Sequence, residues 1–257
     1  MDVILIAIVA FGGAVLTFFS GFGLGTLLLP VFMLFFPVDV AVALTALVHL
    51  ANNLFKTGLM GRYADWKVVL GFGLAALPGA WFGAWLLARL STQPILHAYT
   101  LGPVQGEISL IKIIVAALMI IFAGLEVLPD NKQPVFSTKA LPLGGFLSGF
   151  FGGLSGHQGA LRSAFLLRLG LTKEAFIGTG IIIACGIDLV RLSVYFSDGH
   201  SIHGDRTIIT LMIAAGAAIS GAWLGNRLLK KITLTSLKWF VATGILLMAI
   251  ALVIGIL

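Results

Sequence analysis

Long apolar runs, broken by short polar or glycine-rich stretches, make up most of this chain. A membrane-spanning helix needs about 20 mostly apolar residues, and six runs approach or reach that length. Four shorter apolar runs accompany them. The six long runs are 40–60, 67–90, 111–128, 175–196, 207–229 and 237–257, and the short ones are 3–19, 24–36, 140–154 and 160–169. The pattern predicts an all-α polytopic membrane protein of ten segments.

The short runs form two pairs, and each pair is joined by a glycine-rich break. The first break reads Ser-Gly-Phe-Gly-Leu-Gly over residues 20–25. The second reads Gly-Gly-Leu-Ser-Gly-His-Gln-Gly over residues 152–159. Glycine costs a helix interior about 0.5–1 kcal/mol relative to alanine, so we expect short or broken helices at both places.

Two matches in the same order along the chain indicate an internal duplication. Residues 79–87 and 221–229 both begin Gly-Ala-Trp. Upstream, Gly25 leads to Ala41 and Thr45 at the spacing by which Gly159 leads to Ala175 and Thr179. We therefore predict a first transmembrane repeat over 1–128, a cytoplasmic linker over 129–139 and a second repeat over 140–257.

Loop charges indicate how the two repeats are related. If all ten segments cross, or if each short pair dips in and returns to its own side, most basic residues share one face. These are Arg62, Lys67, Lys132, Lys139, Arg168, Lys173, Arg227, Lys230, Lys231 and Lys238, whereas Arg89, Lys112 and Arg206 lie on the other face. Basic residues favour the cytoplasmic side. Five segments per repeat is an odd number, so we predict inverted repeats with both termini outside.

Composition agrees with a lipid environment. Of the 257 residues, 59% are hydrophobic and 10% charged, whereas soluble domains carry about a quarter charged residues. The net charge of +6 is spread along the chain without a basic cluster, so nucleic-acid binding is not expected. The single cysteine, Cys185, cannot form an intrachain disulfide.

Polar residues at membrane depth are the first candidates for function, because they are expensive to insert. On the third segment, His49, Asn52, Asn53 and Lys56 share one helical face. On the eighth, Asp188 and Arg191 can pair along the helix. The two helices hold equivalent places in the repeats, so their polar stripes should face each other or a shared cavity. The structural alternative is that these residues only join helices by hydrogen bonds.

The second break suggests an anion site. A helix that begins inside the membrane presents free N–H groups and a positive dipole end. Arg162 can bind an oxyanion bidentately, and polar groups lie beside it. The candidate ligands here are Ser155, Gly156, His157, Gln158 and Arg162, joined from the first copy by Gly25 and Thr26. The alternative is close helix packing through small residues.

The glycine-rich breaks and the His-Gln-Gly-Ala-Leu-Arg stretch over residues 157–162 resemble the TauE/SafE sulfite exporter family. The resemblance covers essentially the whole chain. It implies a secondary transporter, acting as an exporter of sulfite or organosulfonates such as sulfoacetate, in the bacterial cytoplasmic membrane. The chain differs from the family's pattern in two places, which bear on the choice of substrate within this diverse family. The second copy has Ala164 where the first has Pro30, and the first break lacks the glycine triplet that family members often show.

The sequence therefore predicts a transporter of a small anion, working by alternating access, with no cofactor and no resident metal. His49 is a candidate proton carrier. An anion channel with the same basic lining is the alternative, and no catalytic constellation indicates an enzyme. His200 and His203 beside Asp198 and Asp205 form a polar loop for which a solvated turn is the simpler interpretation than a metal site. The sequence leaves open whether the protein forms a homodimer.

Overall fold

A computed structural model of the chain describes residues 2–20, 23–101, 104–127, 138–167, 169–197, 204–227 and 235–256. Within them lie ten α-helices, one for each predicted segment. They are α1 (Asp2–Ser20), α2 (Leu24–Met33), α3 (Val38–Met60), α4 (Trp66–Ser91), α5 (Leu110–Val127), α6 (Leu141–Ser155), α7 (Gln158–Leu166), α8 (Lys173–Ser197), α9 (Asp205–Arg227) and α10 (Thr235–Val253). A π-helical turn, Val69–Gly73, interrupts α4 near its start.

Four helical stretches are long and apolar enough to cross a membrane by length and composition: Val38–Tyr63, Trp66–Ser91, Lys173–Ser197 and Asp205–Arg227. Large apolar side chains lie exposed on the outside of the bundle, among them Leu70, Trp81 and Met212. Such a surface suits lipid rather than water. The prediction of an all-α polytopic membrane protein is confirmed.

One element was not predicted, an antiparallel β-hairpin between α4 and α5. Strand β1 (His97–Leu101) pairs with β2 (Val104–Ile108). The hairpin contacts the end of α10, where the Glu107 N–H donates to the carbonyl of Gly255 at 2.9 Å. A Gly-Pro dipeptide at residues 102–103 is a turn signal, so the sequence did carry an indication of this hairpin.

Each pair of short helices folds back on itself. Ser148 of α6 donates to the carbonyl of Gln158 in α7 at 2.9 Å. A Cβ added at Gly144, near the start of α6, would lie 2.6 Å from the ring of Phe165, near the end of α7. The turn between them uses Gly156 with a φ of 79°, a conformation that favours glycine. The pair therefore dips in and returns, as does α1–α2, where Gly13 lies against Leu24.

The equivalent helices α3 and α8 run antiparallel. Near their middles His49 meets Asp188, whereas the end of α3 lies at the start of α8, with the carbonyl of Met60 beside Gly178. Other helix contacts also come in equivalent pairs: α4 packs on α6 as α9 packs on α1, and α5 packs on α10. Equivalent helices that run in opposite directions agree with inverted repeats. Residues 128–137, most of the predicted linker, lie outside the described residues.

Glycines bring α4 and α6 into backbone contact. A Cβ at Gly83 would lie 1.9 Å from the carbonyl oxygen of Phe150, and one at Gly153 would lie 2.2 Å from that of Ala80. Small residues at such interfaces let membrane helices approach closely. In the other copy, Gly225 of α9 leaves more room, 3.0 Å to the carbonyl oxygen of Val15.

The start of α1, the hairpin and the end of α10 share one end of the bundle. Arg206, at the start of α9, donates to the carboxylate of Asp2, and the hairpin reaches Gly255. Both termini therefore lie on the same side of the helix bundle. That this side faces outward remains a prediction from loop charge.

Candidate functional site

The polar stripes of α3 and α8 meet in the middle of the bundle, as predicted. Asp188 is fully buried there and accepts hydrogen bonds from three side chains. His49 donates from Nδ1 at 2.6 Å, Gln158 from Nε2 at 3.0 Å and Arg191 from Nε at 3.0 Å. The carboxylate thus joins α3, α7 and α8 at one point.

The remaining polar side chains of α3 extend this network. Because Asp188 accepts from Nδ1 of His49, the other ring nitrogen is free to accept from Nδ2 of Asn53 at 3.3 Å. Asn52, with its amide oriented to satisfy both neighbours, donates to the carbonyl of Ala218 at 3.1 Å and accepts from Nζ of Lys56 at 3.2 Å. The ammonium of Lys56 also lies 5.2 Å from the ring centroid of Phe18.

Arg191 ties α8 to the end of α6. Its Nη1 donates to the carbonyl of Gly152 at 3.0 Å, while Nε binds Asp188. Tyr195, one turn further, donates to the carbonyl of Gly153. The carbonyl of Gly152 also accepts from the N–H of Gly156 at 2.9 Å, so the two side chains add hydrogen bonds at a helix end where backbone partners run out.

Arg162 projects from the second turn of α7. Its Nη1 donates to Oε1 of Gln158 at 3.2 Å, and Gln158 in turn binds Asp188. A Cβ at Gly180 would lie 3.3 Å from Nε of Arg162, so the guanidinium passes directly over the backbone of α8. Arg162 also lines a cavity.

That cavity lies between the Asp188 network and the basic face of the bundle. Its volume is about 40 Å³. A buried water needs about 10–15 Å³ of such space, so the cavity has room for a few waters or one small oxyanion. It is lined by Thr17, Phe18, Leu24, His49, Asn53, Lys56, Arg162, Ser163, Leu166, Phe176, Ile177, Gly180 and Ile181.

Cations outnumber carboxylates in this region. Among the described residues, the buried charged side chains are Lys56, Arg162, Asp188 and Arg191. Three cations against one carboxylate leave two positive charges in excess, and none of the described residues that line the cavity is acidic. Buried charge is costly unless it is paired, so the arrangement is suited to an anion.

The sequence of nearly the whole chain matches a known family. A family model described as sulfite exporter TauE/SafE matches residues 5–252. The chain belongs to this family. It is therefore a multi-pass membrane transporter rather than a member of an enzyme family. A search of curated proteins found no match.

In this TauE/SafE chain the predicted site residues fall into three groups. His49, Asn53, Lys56 and Arg162 line the cavity. Asn52, Gln158, Asp188 and Arg191 lie behind them and hold them through the hydrogen bonds above. Ser155, Gly156, His157, Gly25 and Thr26 are buried at the break but do not line this cavity.

The third group lies where the two breaks cross. A Cβ at Gly25 would lie 3.3 Å from the carbonyl oxygen of Gly156. The ring of His157 stacks on that of Phe122 in α5 at 5.6 Å between centroids, and its Nδ1 lies 3.1 Å from Oγ of Ser155. The cavity runs along the side of α7 rather than at its amino-terminal end, so these residues support the crossing and do not face the space.

Several cavity residues were not predicted, notably Thr17, Ser163 and Gly180. A threonine near the end of an apolar helix gives little signal in the sequence, since its hydroxyl usually binds the preceding turn. Within the described residues, no group of three His, Cys, Asp or Glu side chains could hold a metal. Asp198, His200 and His203 lie outside the described residues.

Proposed function

We propose that this protein exports a small sulfur oxyanion, sulfite or a short organosulfonate such as sulfoacetate, across the bacterial cytoplasmic membrane. One observation carries the proposal: a small cavity at membrane depth is lined by Lys56 and Arg162, and the part of the chain that the structure describes adds no carboxylate to it. An arginine can offer two parallel N–H donors to an oxyanion, and a lysine adds a point charge.

The binding roles follow from the contacts. Arg162 and Lys56 bind the oxyanion head, and Asn53 stands beside them. Gln158 and Asp188 hold Arg162 and His49 in place, while Arg191 anchors α8 to α6. The apolar part of the lining includes Phe176 and Ile177 near the basic face, which would contact a carbon bonded to the sulfur.

The closed side of the site supports a carrier more than a channel. Between the network and the end of the bundle that holds the termini, Leu28, Leu29, Phe32 and Leu44 are all buried to within 1% of their surface. A channel needs a continuous path, whereas alternating access opens one side at a time. In inverted-repeat transporters, rocking of one repeat against the other produces that alternation.

Export of an anion needs no coupled ion when the membrane potential is negative inside. The membrane potential, negative inside, favours the outward movement of an anion by about 2.3 kcal/mol per charge per 100 mV. If the basic face is cytoplasmic, the cavity lies on the side of the Asp188 network from which the anion is loaded.

Proteoliposomes provide the direct test. Purified protein should release entrapped sulfite or sulfoacetate, the rate should saturate with substrate, and substrate on the far side should accelerate exchange. Arg162→Gln should abolish this flux. Arg206→Gln is the matched control, because Arg206 lies at the start of α9 and does not line the cavity. No flux of sulfite or any sulfonate, together with no thermal shift in detergent, would overturn the proposal. Single-channel currents would assign a channel instead.

A further inference from the structure

Thr17 of α1 is a buried hydroxyl that finds no partner in the described part of the structure. The side chain is 6% exposed, and its Oγ1 makes no hydrogen bond there. It also lines the cavity that holds Arg162 and Lys56. Most buried polar side-chain atoms are hydrogen-bonded, and an exception calls for an explanation.

Other helical threonines in this chain show the usual solution. Thr57 donates to the carbonyl of Asn53 at 2.8 Å, and Thr210 donates to that of Arg206 at 2.8 Å. This bond to the preceding turn is the common arrangement for a threonine inside a helix. Thr17 makes no such bond, so its hydroxyl hydrogen is available to a ligand in the cavity.

We propose that the hydroxyl of Thr17 binds an oxygen of the transported anion and selects a three-oxygen head group over a carboxylate. The inference rests on the proposed function. Three donor side chains then come from three helices: Arg162 from α7, Lys56 from α3 and Thr17 from α1. A sulfite or sulfonate head has an oxygen for each donor. A carboxylate can also accept three hydrogen bonds, as Asp188 does, but both of its oxygens lie in one plane and hydrogen bonds away from that plane are weaker, so one of three donors from three helices is poorly matched.

The selectivity follows from that poorly aligned donor. Sites built to hydrogen-bond a ligand reject analogues that do not present the matching acceptor, because the protein's own polar group is then poorly satisfied. Removing the hydroxyl should therefore weaken sulfonate binding by about tenfold, the value of one hydrogen bond to a charged group. Carboxylate binding should change little. Selectivity, rather than binding as such, is the quantity that depends on Thr17.

Calorimetry with methanesulfonate and acetate tests this, since the two probes differ only in the head group. We expect wild type to prefer methanesulfonate and Thr17→Val to lose about tenfold of that preference. Thr17→Ser keeps the hydroxyl and should keep the preference. Thr45→Val is the matched control, because Oγ1 of Thr45 is also buried without a described partner but lies outside the cavity.

The outcomes separate the two proposals. If wild type and Thr17→Val show the same ratio of affinities, Thr17 does not select the head group and the inference is wrong. If Thr45→Val loses the preference equally, the effect is not local and the inference is again wrong. If wild type binds neither probe nor sulfite, the proposed function fails instead. Thr17→Ala, which also lacks the hydroxyl, replaces Thr17→Val if that variant does not fold.

Discussion

The two short hairpins, α1–α2 and α6–α7, occupy equivalent places but carry different chemistry at matching positions. Leu28 and Arg162 each follow the matching glycine, Gly25 or Gly159, by three residues. Leu28 is fully buried among apolar side chains, whereas Arg162 lines the cavity. At this position the first hairpin thus packs the closed side of the protein, whereas the second supplies a guanidinium to the cavity.

The two helix interfaces are equally close at Gly79 and Gly221, where an added Cβ would lie 2.1 Å from the carbonyl oxygen of Phe146 and 2.2 Å from that of Phe11, and they differ one turn later. The contact of α4 with α6 is backbone against backbone at Gly83, while the contact of α9 with α1 leaves about one ångström more at Gly225. A duplicated unit can keep its packing scheme while its interior residues diverge. The two cations that line the cavity still come from both halves, Lys56 from the first copy and Arg162 from the second.

The largest effect is expected at Asp188, the acid that joins the copies. Asp188→Asn removes the charge that His49 and Arg191 share, and breaking a buried pair costs about 3–5 kcal/mol. We expect a large drop in unfolding temperature in detergent. Adding Arg191→Met should recover part of it, because the uncompensated cation is then gone. A double variant no more stable than Asp188→Asn would contradict this account.

Gly83 and Gly225 test the difference between the interfaces. Gly83→Ala sets a methyl against the carbonyl of Phe150, and we expect a loss of about 3 kcal/mol, the upper range of overpacking. Gly225→Ala should cost about 1 kcal/mol. Gly216→Ala, with nothing within 4 Å of the added methyl, is the control and should not destabilise. Equal effects at Gly83 and Gly225 in thermal unfolding would show that the interfaces are equally tight.

Arg162 and Leu28 test the difference between the hairpins. Arg162→Gln removes the guanidinium, and we expect sulfite affinity to fall by about a hundredfold, the upper range for hydrogen bonds to a charged group. Leu28→Met, a conservative change at the matching position of the other copy, should leave affinity unchanged. Calorimetry measures both. If Arg162→Gln binds sulfite as tightly as wild type does, the cavity is not part of the transport path.

The sequence was sufficient for the ten helices, their pairing and the meeting of α3 with α8. Length of apolar runs, spacing of glycines and spacing of polar residues determine these features directly. The rotation of each hairpin about its own axis is not encoded in such local patterns. The stacking of His157, a predicted ligand, on Phe122 is a contact that no such pattern indicates. Thr17 was missed because only tertiary packing reveals that its hydroxyl has no partner among the described residues.

Replacing His49 is expected to have the smallest effect, and it tests a difference in sequence between the equivalent helices α3 and α8. Position 183 of α8, which matches it in the repeat, holds an isoleucine. His49→Ala removes one of three hydrogen bonds to Asp188, and Gln158 and Arg191 still hold the carboxylate. We therefore expect export from proteoliposomes to slow by about tenfold or less without stopping. His97→Ala, in the hairpin, is the control. Complete loss of flux in a folded His49→Ala protein would instead make His49 an obligatory proton carrier.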